Sequence, residues 1–330
     1  MQLSRIRPEI GRTPSLATIA VVLPAYNEQL TIADTIRSFA AALPDAYIAV
    51  VNNNSTDRTA EIAARTLQEL SVSGSVLNET RQGKANAVRH AFRNVPADVY
   101  VLCDADLTYP AERVHDLIEP IVSGHADMTV ADRISGGDYA KGKTRRFHTI
   151  GNELVRRLVN FFFNAELRDI MSGYRAFSSA FVRQYPILVT GFQLETDMTL
   201  HALDKRYRIK EMAVEYFERP AGSYSKLNTF SDGAHVLFTI AHLLRHYRPM
   251  FFFGGLAAIF AVSGLMTAVP VIDDWIQYRY IYHVPLAILS AALELAALLS
   301  LGIGLVLDAV NHQFRMLFER DGSALGTRLT

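Results

Sequence analysis

Tyr100-Val101-Leu102-Cys103-Asp104-Ala105-Asp106 is the stretch on which the fold turns. Tyr100 to Cys103 form an apolar run short enough for a strand covered on both faces. Two carboxylates one residue apart follow, and Pro110 prevents the strand from running further. Residues i and i+2 of an extended chain point the same way, so Asp104 and Asp106 can face one ligand together. A hard cation shared with phosphate oxygens would relieve their repulsion. A solvated acidic turn is the alternative, because a lone Asp-x-Asp carries little information.

Upstream, Thr18 to Leu23 reads as a buried strand ended by Pro24, with Ala25-Tyr26-Asn27-Glu28 as its loop and a helix over Thr31 to Ala42. Ala46 to Val51 predicts the next strand. It opens into Asn52-Asn53-Asn54-Ser55-Thr56-Asp57, a polar cluster suited to start a helix reaching about Leu70. Ser75 to Leu77 reads as a short strand, and Gly83-Lys84-Ala85-Asn86-Ala87 as the start of another helix. Beyond the Asp pair come a helix from about Ala111 to Val122 and a strand from Asp127 to Ala131. This alternation predicts an α/β fold with a mainly parallel, doubly wound sheet. Ligands of such sheets sit beyond the carboxyl ends of the strands, where the polar clusters after Leu23, Val51 and Cys103 all fall. No Gly-x-Gly-x-x-Gly and no Gly-x-x-x-x-Gly-Lys-Ser/Thr is present, which removes the dinucleotide-type and P-loop sites.

The 330 residues contain 33 Lys+Arg and 33 Asp+Glu, a balance that argues against nucleic acid as a partner. Cys103 is the sole cysteine, which excludes an internal disulfide and a cysteine-based zinc site. Met1 to Ala17 has Arg5, Arg7 and Arg12 but no apolar segment, so it reads as an N-terminal extension without a signal peptide, starting in the cytosol.

Apolar residues concentrate near the other end. Met250 to Ile272 lacks any charge, and Val284 to Leu307 has only Glu294. Each run exceeds the ~20 residues that a helix needs to cross a bilayer. The intervening Asp273 to His283 carries Trp275, Tyr278, Tyr280 and Tyr282, which suit a membrane interface. Arg245 and Arg248 before the first span, and Arg315 and Arg320 after the second, place both chain ends in the cytoplasm by the positive-inside rule. A helical hairpin buried in a soluble protein is the alternative. Val236, Leu237, Ile240, Leu243, Leu244 and Tyr247 form one apolar stripe ahead of the first span, the pattern of an interfacial helix. The expected organisation is an extension (1–17), an α/β domain (18–227), a juxtamembrane amphipathic helix (228–249), and two transmembrane helices (250–272 and 284–307) with a tail.

Pro24-Ala25-Tyr26-Asn27-Glu28, the loop ending Ser55-Thr56-Asp57, Gly83-Lys84 and Asp104-Ala105-Asp106 resemble a family 2 glycosyltransferase with the GT-A fold. Asp169-Ile170-Met171-Ser172-Gly173-Tyr174-Arg175-Ala176-Phe177 and Arg219-Pro220-Ala221-Gly222-Ser223-Tyr224-Ser225-Lys226 resemble its polyprenyl-phosphate branch, which includes the dolichol-phosphate mannose synthases. The resemblance implies a UDP- or GDP-sugar donor held by Pro24, Tyr26, Glu28, Asn53, Lys84, Asp104, Ala105, Asp106, Arg219 and Lys226. It implies Mg²⁺ or Mn²⁺ at Asp104 and Asp106, with Asp106 the direct ligand, and a polyprenyl phosphate acceptor met by Arg133, Arg145 and Thr149. Asp104, Asp106, Arg133 and Arg145 are then the catalytic set. Two positions depart from the pattern. Asn52-Asn53 replace the usual Asp-Asp, and Thr108 stands where some members have a metal-binding glutamine.

The chemistry separates the acceptors. A hydroxyl nucleophile needs a general base, whereas a lipid phosphate is largely ionised already, its second pKa being about 6. The run from Arg133 to Thr149 is rich in cations, with Lys141, Lys143, Arg145 and Arg146, and suits a phosphate; a solvated loop is the plain alternative. A helix from about Arg145 to Phe163 follows, its Phe161-Phe162-Phe163 packing into a core or touching lipid. The expected activity is inverting transfer of one sugar to polyprenyl phosphate at the cytoplasmic face of the inner membrane. A hydroxyl acceptor with Glu195 or Asp197 as base is the rival enzyme reading. A silent nucleotide-sugar-binding membrane protein is the third. Mid-span Glu294 reads as a protonated carboxyl, a lipid-path residue, or one paired across a subunit contact, which would make the protein a homo-oligomer.

Overall fold

Ala20, Val21, Val22 and Leu23 have no exposed surface, and their alternation sorts the domain into two cores. In the computed structural model, which describes residues 17–136, 146–189, 193–220, 241 and 244–326 (backbone alone for 146–150 and 321–326), they lie in β1 (Ile19–Ala25). Val21 and Leu23 join Ile48, Val50, Val99 and Val101 on one face of the sheet, under Ile32, Ile36 and Phe39 of helix α1 (Ile32–Ala42). Ala20 and Val22 join Ala49, Val51 and Leu102 on the other, under Ala87, Val88 and Ala91 of a later helix.

The remaining elements follow the predicted alternation: β2 (Tyr47–Asn52), α2 (Thr59–Leu70), β3 (Gly74–Asn78), α3 (Lys84–Asn94) and β4 (Val99–Leu102). A 3₁₀ turn (Ala111–Arg113) leads into α4 (Val114–Val122), and then β5 (Met128–Asp132). After these come α5 (Arg146–Phe163), β6 (Arg175–Ser178), α6 (Ser179–Gln184), α7 (Leu194–Asp204) and β7 (Ile209–Ala213).

The seven strands are ordered β3-β2-β1-β4-β6-β5-β7. The sheet is mainly parallel, as expected, but β6 runs antiparallel to both β4 and β5. A second difference is at β1, which continues through Pro24 to Ala25 instead of stopping before the proline. Pairing with β4 ends at Val22↔Leu102, while pairing with β2 runs on to Ala25↔Asn52. Beyond Val22 only one edge of β1 needs donors, so the missing N–H of Pro24 is tolerated. The chain leaves β1 for β2 on one side and returns to β4 on the other, so the crevice between β1 and β4 is the switch point where α/β sheets bind ligands.

The chain divides into two compact units: residues 1–146 with 166–227, and residues 147–165 with 228–330. Helix α5 thus belongs with the second unit, whereas the sequence reading had included it in the α/β domain. The second unit holds α8 (Pro249–Tyr278) and α9 (Val284–Gly326), both long and apolar enough to cross a membrane. Helix α8 extends past its apolar run into the expected loop, with Asp273 accepting from Gln277 Nε2 at 2.8 Å. Asp274 closes the hairpin by accepting from the backbone N–H groups of Tyr282 (2.8 Å) and His283 (2.9 Å). Ser290 Oγ donates to Gly264 O across the two helices at 2.9 Å. Glu294 packs against Gly264, where any side chain would meet its carboxyl. Phe162 stacks edge-on against Phe251, and Phe163 against Tyr247, while Phe161 stays exposed. The predicted juxtamembrane stripe lies largely outside the described residues.

Candidate active site

At the end of β4 the chain turns sharply. Leu107 takes φ 59°, a left-handed backbone that costs a branched residue ~1–2 kcal/mol. The turn brings Thr108 back onto Asp106, whose Oδ1 accepts from Thr108 Oγ1 at 2.6 Å and from Thr108 N at 3.2 Å. Thr31, entering α1, donates to Ala105 O at 2.7 Å and so fixes the peptide between the two aspartates. Asp106 is buried. Its Oδ2 lies 2.6 Å from Arg219 Nη2, and Arg219 Nη1 is 3.9 Å from Glu28 Oε1. Burial, and next the charge of Asp104, raise the Asp106 pKa against the opposing pull of Arg219.

Asp104 pairs with Lys84 at the start of α3, and Lys84 Nζ also sits 2.5 Å from Glu195 Oε1 in the first turn of α7. Burial alone would lower the Lys84 pKa, but the charges of Asp104 and Glu195 outweigh it and raise it. Gly173 closes this group from above. A Cβ there would strike the Asp104 carboxylate and come within 3.1 Å of Lys84 Nζ, so a side chain at this position would have to displace the Asp104–Lys84 pair. Four carboxylates (Glu28, Asp104, Asp106, Glu195) and two cations (Lys84, Arg219) thus meet here, leaving a surplus of two negative charges among the described residues.

Asn53, beyond β2, is buried and uses both ends of its amide. Nδ2 donates to Arg81 O at 2.8 Å, and Oδ1 accepts from Gly83 N at 2.6 Å. It holds the loop that delivers Lys84. Pro24 lies next to the last residue of β1, and Tyr26 is half-buried in the loop after the strand. Arg133, just after β5, is clamped by Asp169 through Nε (2.6 Å) and Nη2 (2.9 Å) and lies over the Tyr216 ring at 5.4 Å. Asp169 begins the segment whose Gly173 covers Asp104, and Tyr109 hydroxyl accepts from Gly173 N at 3.1 Å. Arg145 and Lys226 lie outside the described residues, and Thr149 is described only as backbone of α5.

Two residues named in the sequence reading have contacts that it did not foresee. Glu195 had been singled out, but as a candidate base and not as the partner of Lys84; Asp197 instead accepts from Tyr185 hydroxyl at 2.7 Å. Arg175 is fully buried in β6 and donates to Ser172 O (2.8 Å), Ile170 O (2.7 Å) and Thr199 Oγ1 (2.9 Å), stapling the segment over Asp104. Its conversion of a charged residue into a strand position hid it from any apolar pattern.

The sequence profile of Glycosyl transferase family 2 matches residues 20–185, from β1 through the Asp pair to Tyr185. The chain belongs to glycosyltransferase family 2. Glycosyltransferase AglJ of Haloferax volcanii is 28% identical over 308 residues, covering 93% of this chain and 98% of that one. The dolichol-phosphate mannosyltransferase of Pyrococcus furiosus is 28% identical over 260 residues, covering 75% of this glycosyltransferase and 68% of its own length. Among solved structures, a Mycobacterium tuberculosis glucosyl-3-phosphoglycerate synthase, in complex with Mn²⁺, UDP-glucose and phosphoglyceric acid, superposes with a TM-score of 0.53 at 23% identity. The match covers 69% of this chain and 79% of that one and establishes the GT-A-like fold.

Proposed function

We propose that this glycosyltransferase moves one sugar, with inversion, from a UDP- or GDP-sugar to polyprenyl phosphate at the cytoplasmic face of the inner membrane. The observation that carries the acceptor is the state of the carboxylates. Glu28, Asp104, Asp106 and Glu195 each face Lys84 or Arg219, so they are arranged to manage charge and not to take a proton from a hydroxyl. A phosphate nucleophile needs no such base. The acceptor named for the Pyrococcus relative and the two membrane-length helices support the same reading.

The donor set suits Mg²⁺ or Mn²⁺: two hard carboxylates on one turn and a surplus of two negative charges. Mg²⁺ is commonly held by one or two carboxylates together with substrate phosphates and water. Asp106 would be the direct ligand and Asp104 its neighbour, and the bound ion would act as a Lewis acid for the departing diphosphate. Arg219 and Lys226 clasp the diphosphate, while Tyr26 and Asn53 border the nucleoside. Arg133, Arg145 and Thr149 present the acceptor phosphate. One of its oxygens attacks the anomeric carbon opposite the diphosphate; that C–O bond breaks and the nucleoside diphosphate leaves. In the second unit, Val155, Leu158, Phe162, Phe163 and Leu244 form an apolar patch beside Arg248.

The test is a screen of UDP- and GDP-sugars with the full-length protein, undecaprenyl or dolichyl phosphate as acceptor, with and without EDTA, read by mass of the lipid. A hexosyl-phosphoprenol that disappears in EDTA is expected. Transfer only to a free sugar hydroxyl would sink the acceptor assignment.

A further inference from the structure

Both oxygens of Asp106 are engaged by groups of the protein. Thr108 holds Oδ1 at 2.6 Å and Arg219 holds Oδ2 at 2.6 Å. The Thr108 contact is local and compatible with a ligated carboxylate, since a hydroxyl donor can remain while a carboxylate binds metal. The Arg219 contact opposes one, because a guanidinium 2.6 Å from Oδ2 neutralises the carboxylate and repels a divalent ion drawn to it. The backbone near Arg219 is anchored: Phe217 N donates to Thr108 O at 2.9 Å, and Val214 N to Asp132 O at 3.1 Å. Asp106 opens when the side chain of Arg219 moves off Oδ2.

The geometry points to Arg219 as a latch on Asp106, so that a divalent ion enters only when a nucleoside diphosphate draws the guanidinium away. This rests on the metal reading above and adds an order of assembly to it. A diphosphate offers Arg219 paired anionic oxygens in the bidentate geometry that guanidinium favours. Its transfer from Asp106 frees a carboxylate oxygen beside those same phosphates. Metal and diphosphate therefore bind with positive coupling, and by linkage each tightens the other by the same factor. Without the diphosphate, the buried Asp106 keeps its charge compensated by Arg219 instead of lying bare.

The experiment is a Mn²⁺ titration of the full chain in detergent, followed by the electron paramagnetic resonance signal of free Mn²⁺, alone and with UDP or GDP. Wild type should bind Mn²⁺ at least tenfold more tightly with the diphosphate that fits. Arg219→Gln should bind Mn²⁺ without diphosphate at least tenfold more tightly than wild type, and the diphosphate should add little. Arg219→Lys, which keeps the charge, should leave the diphosphate-free affinity near that of wild type. An Arg219→Gln affinity no tighter than wild type without diphosphate, alongside Mn²⁺ binding in its presence, would overturn the latch and spare the metal site. A tightening in Arg219→Lys equal to that in Arg219→Gln would also overturn it. Retention of Mn²⁺ by neither wild type nor Arg219→Gln, even with both diphosphates, would overturn the metal reading itself.

Discussion

Lys84 and Glu195 stand 111 positions apart in the chain, and their side chains meet at 2.5 Å. Through that contact and the pairing of Lys84 with Asp104, the first turns of α3 and α7 are both tied to the end of β4. A carboxylate placed in this way orients a cation. It is poorly placed to strip a proton from a substrate.

Removing a true general base typically costs 10²–10⁴ in rate. Glu195→Gln keeps a polar partner for Lys84, and Asp197 is bonded to Tyr185. Each of Glu195→Gln and Asp197→Asn is therefore expected to retain transfer to polyprenyl phosphate within about tenfold, or ~1.4 kcal/mol of barrier. Steady-state rates against lipid acceptor decide it. A thousandfold loss with donor affinity intact would restore the hydroxyl-acceptor reading.

Much of the α/β domain was legible because each buried strand ends in a polar cluster. Val101-Leu102-Cys103 running into Asp104 shows this most plainly, as does Val51 running into Asn52 and Asn53. What stayed hidden depends on distant partners. Strand β6 begins with Arg175, whose charge is satisfied by Ile170 O, Ser172 O and Thr199, so its burial leaves no apolar trace. The extension of β1 through Pro24 depends on where β4 stops. The role of Glu195 needed Lys84 beside it, and a contact over that separation has no period to read. At Asn53 the amide was visible as a departure, but its purchase on Arg81 and Gly83 was not.

That purchase makes a prediction. Asn53→Asp keeps an acceptor for Gly83 N but loses the donor to Arg81 O, setting a carboxylate against a carbonyl. A buried acceptor left unpaired costs ~1–3 kcal/mol. The variant is expected to be less stable by that order and to bind UDP and GDP more weakly, because the loop bearing Lys84 loses its hold. Equal stability with tighter diphosphate binding would show that Asn53 acts on the donor directly and not by holding the loop.

Arg175 bears on stability and site geometry together. Arg175→Met fills similar space but leaves Ile170 O and Ser172 O without their donor. A loss of about 2 kcal/mol is expected, or roughly 4–8 °C in apparent Tm for a unit of this size. Donor affinity should fall as well, since Gly173 no longer closes over Asp104. Thermal unfolding with and without UDP measures both. An unchanged Tm would mean the three acceptors find water or other partners unaided.

The last prediction concerns acid stability. Glu79 follows β3 with its carboxylate held by Arg81, through Nε at 2.9 Å, Nη2 at 2.7 Å and the backbone N–H at 2.9 Å, with His90 Nδ1 3.3 Å away. Chiefly through the Arg81 side chain, its pKa falls from an ordinary 4.5 to about 2. The folded protein therefore binds this proton less readily than the unfolded chain, and stability from the pair grows with pH. It is fully present above about 4.5 and is lost as pH falls through the window down to about 2. Many carboxylates titrate in that range, so the difference between wild type and Glu79→Gln isolates this one. Apparent Tm recorded from pH 7 downward should fall more steeply for wild type than for Glu79→Gln below about 4.5, the two curves converging toward the acid end. Parallel curves over the whole range would mean that Arg81 gives Glu79 no more protection from protons when folded than water gives it when unfolded.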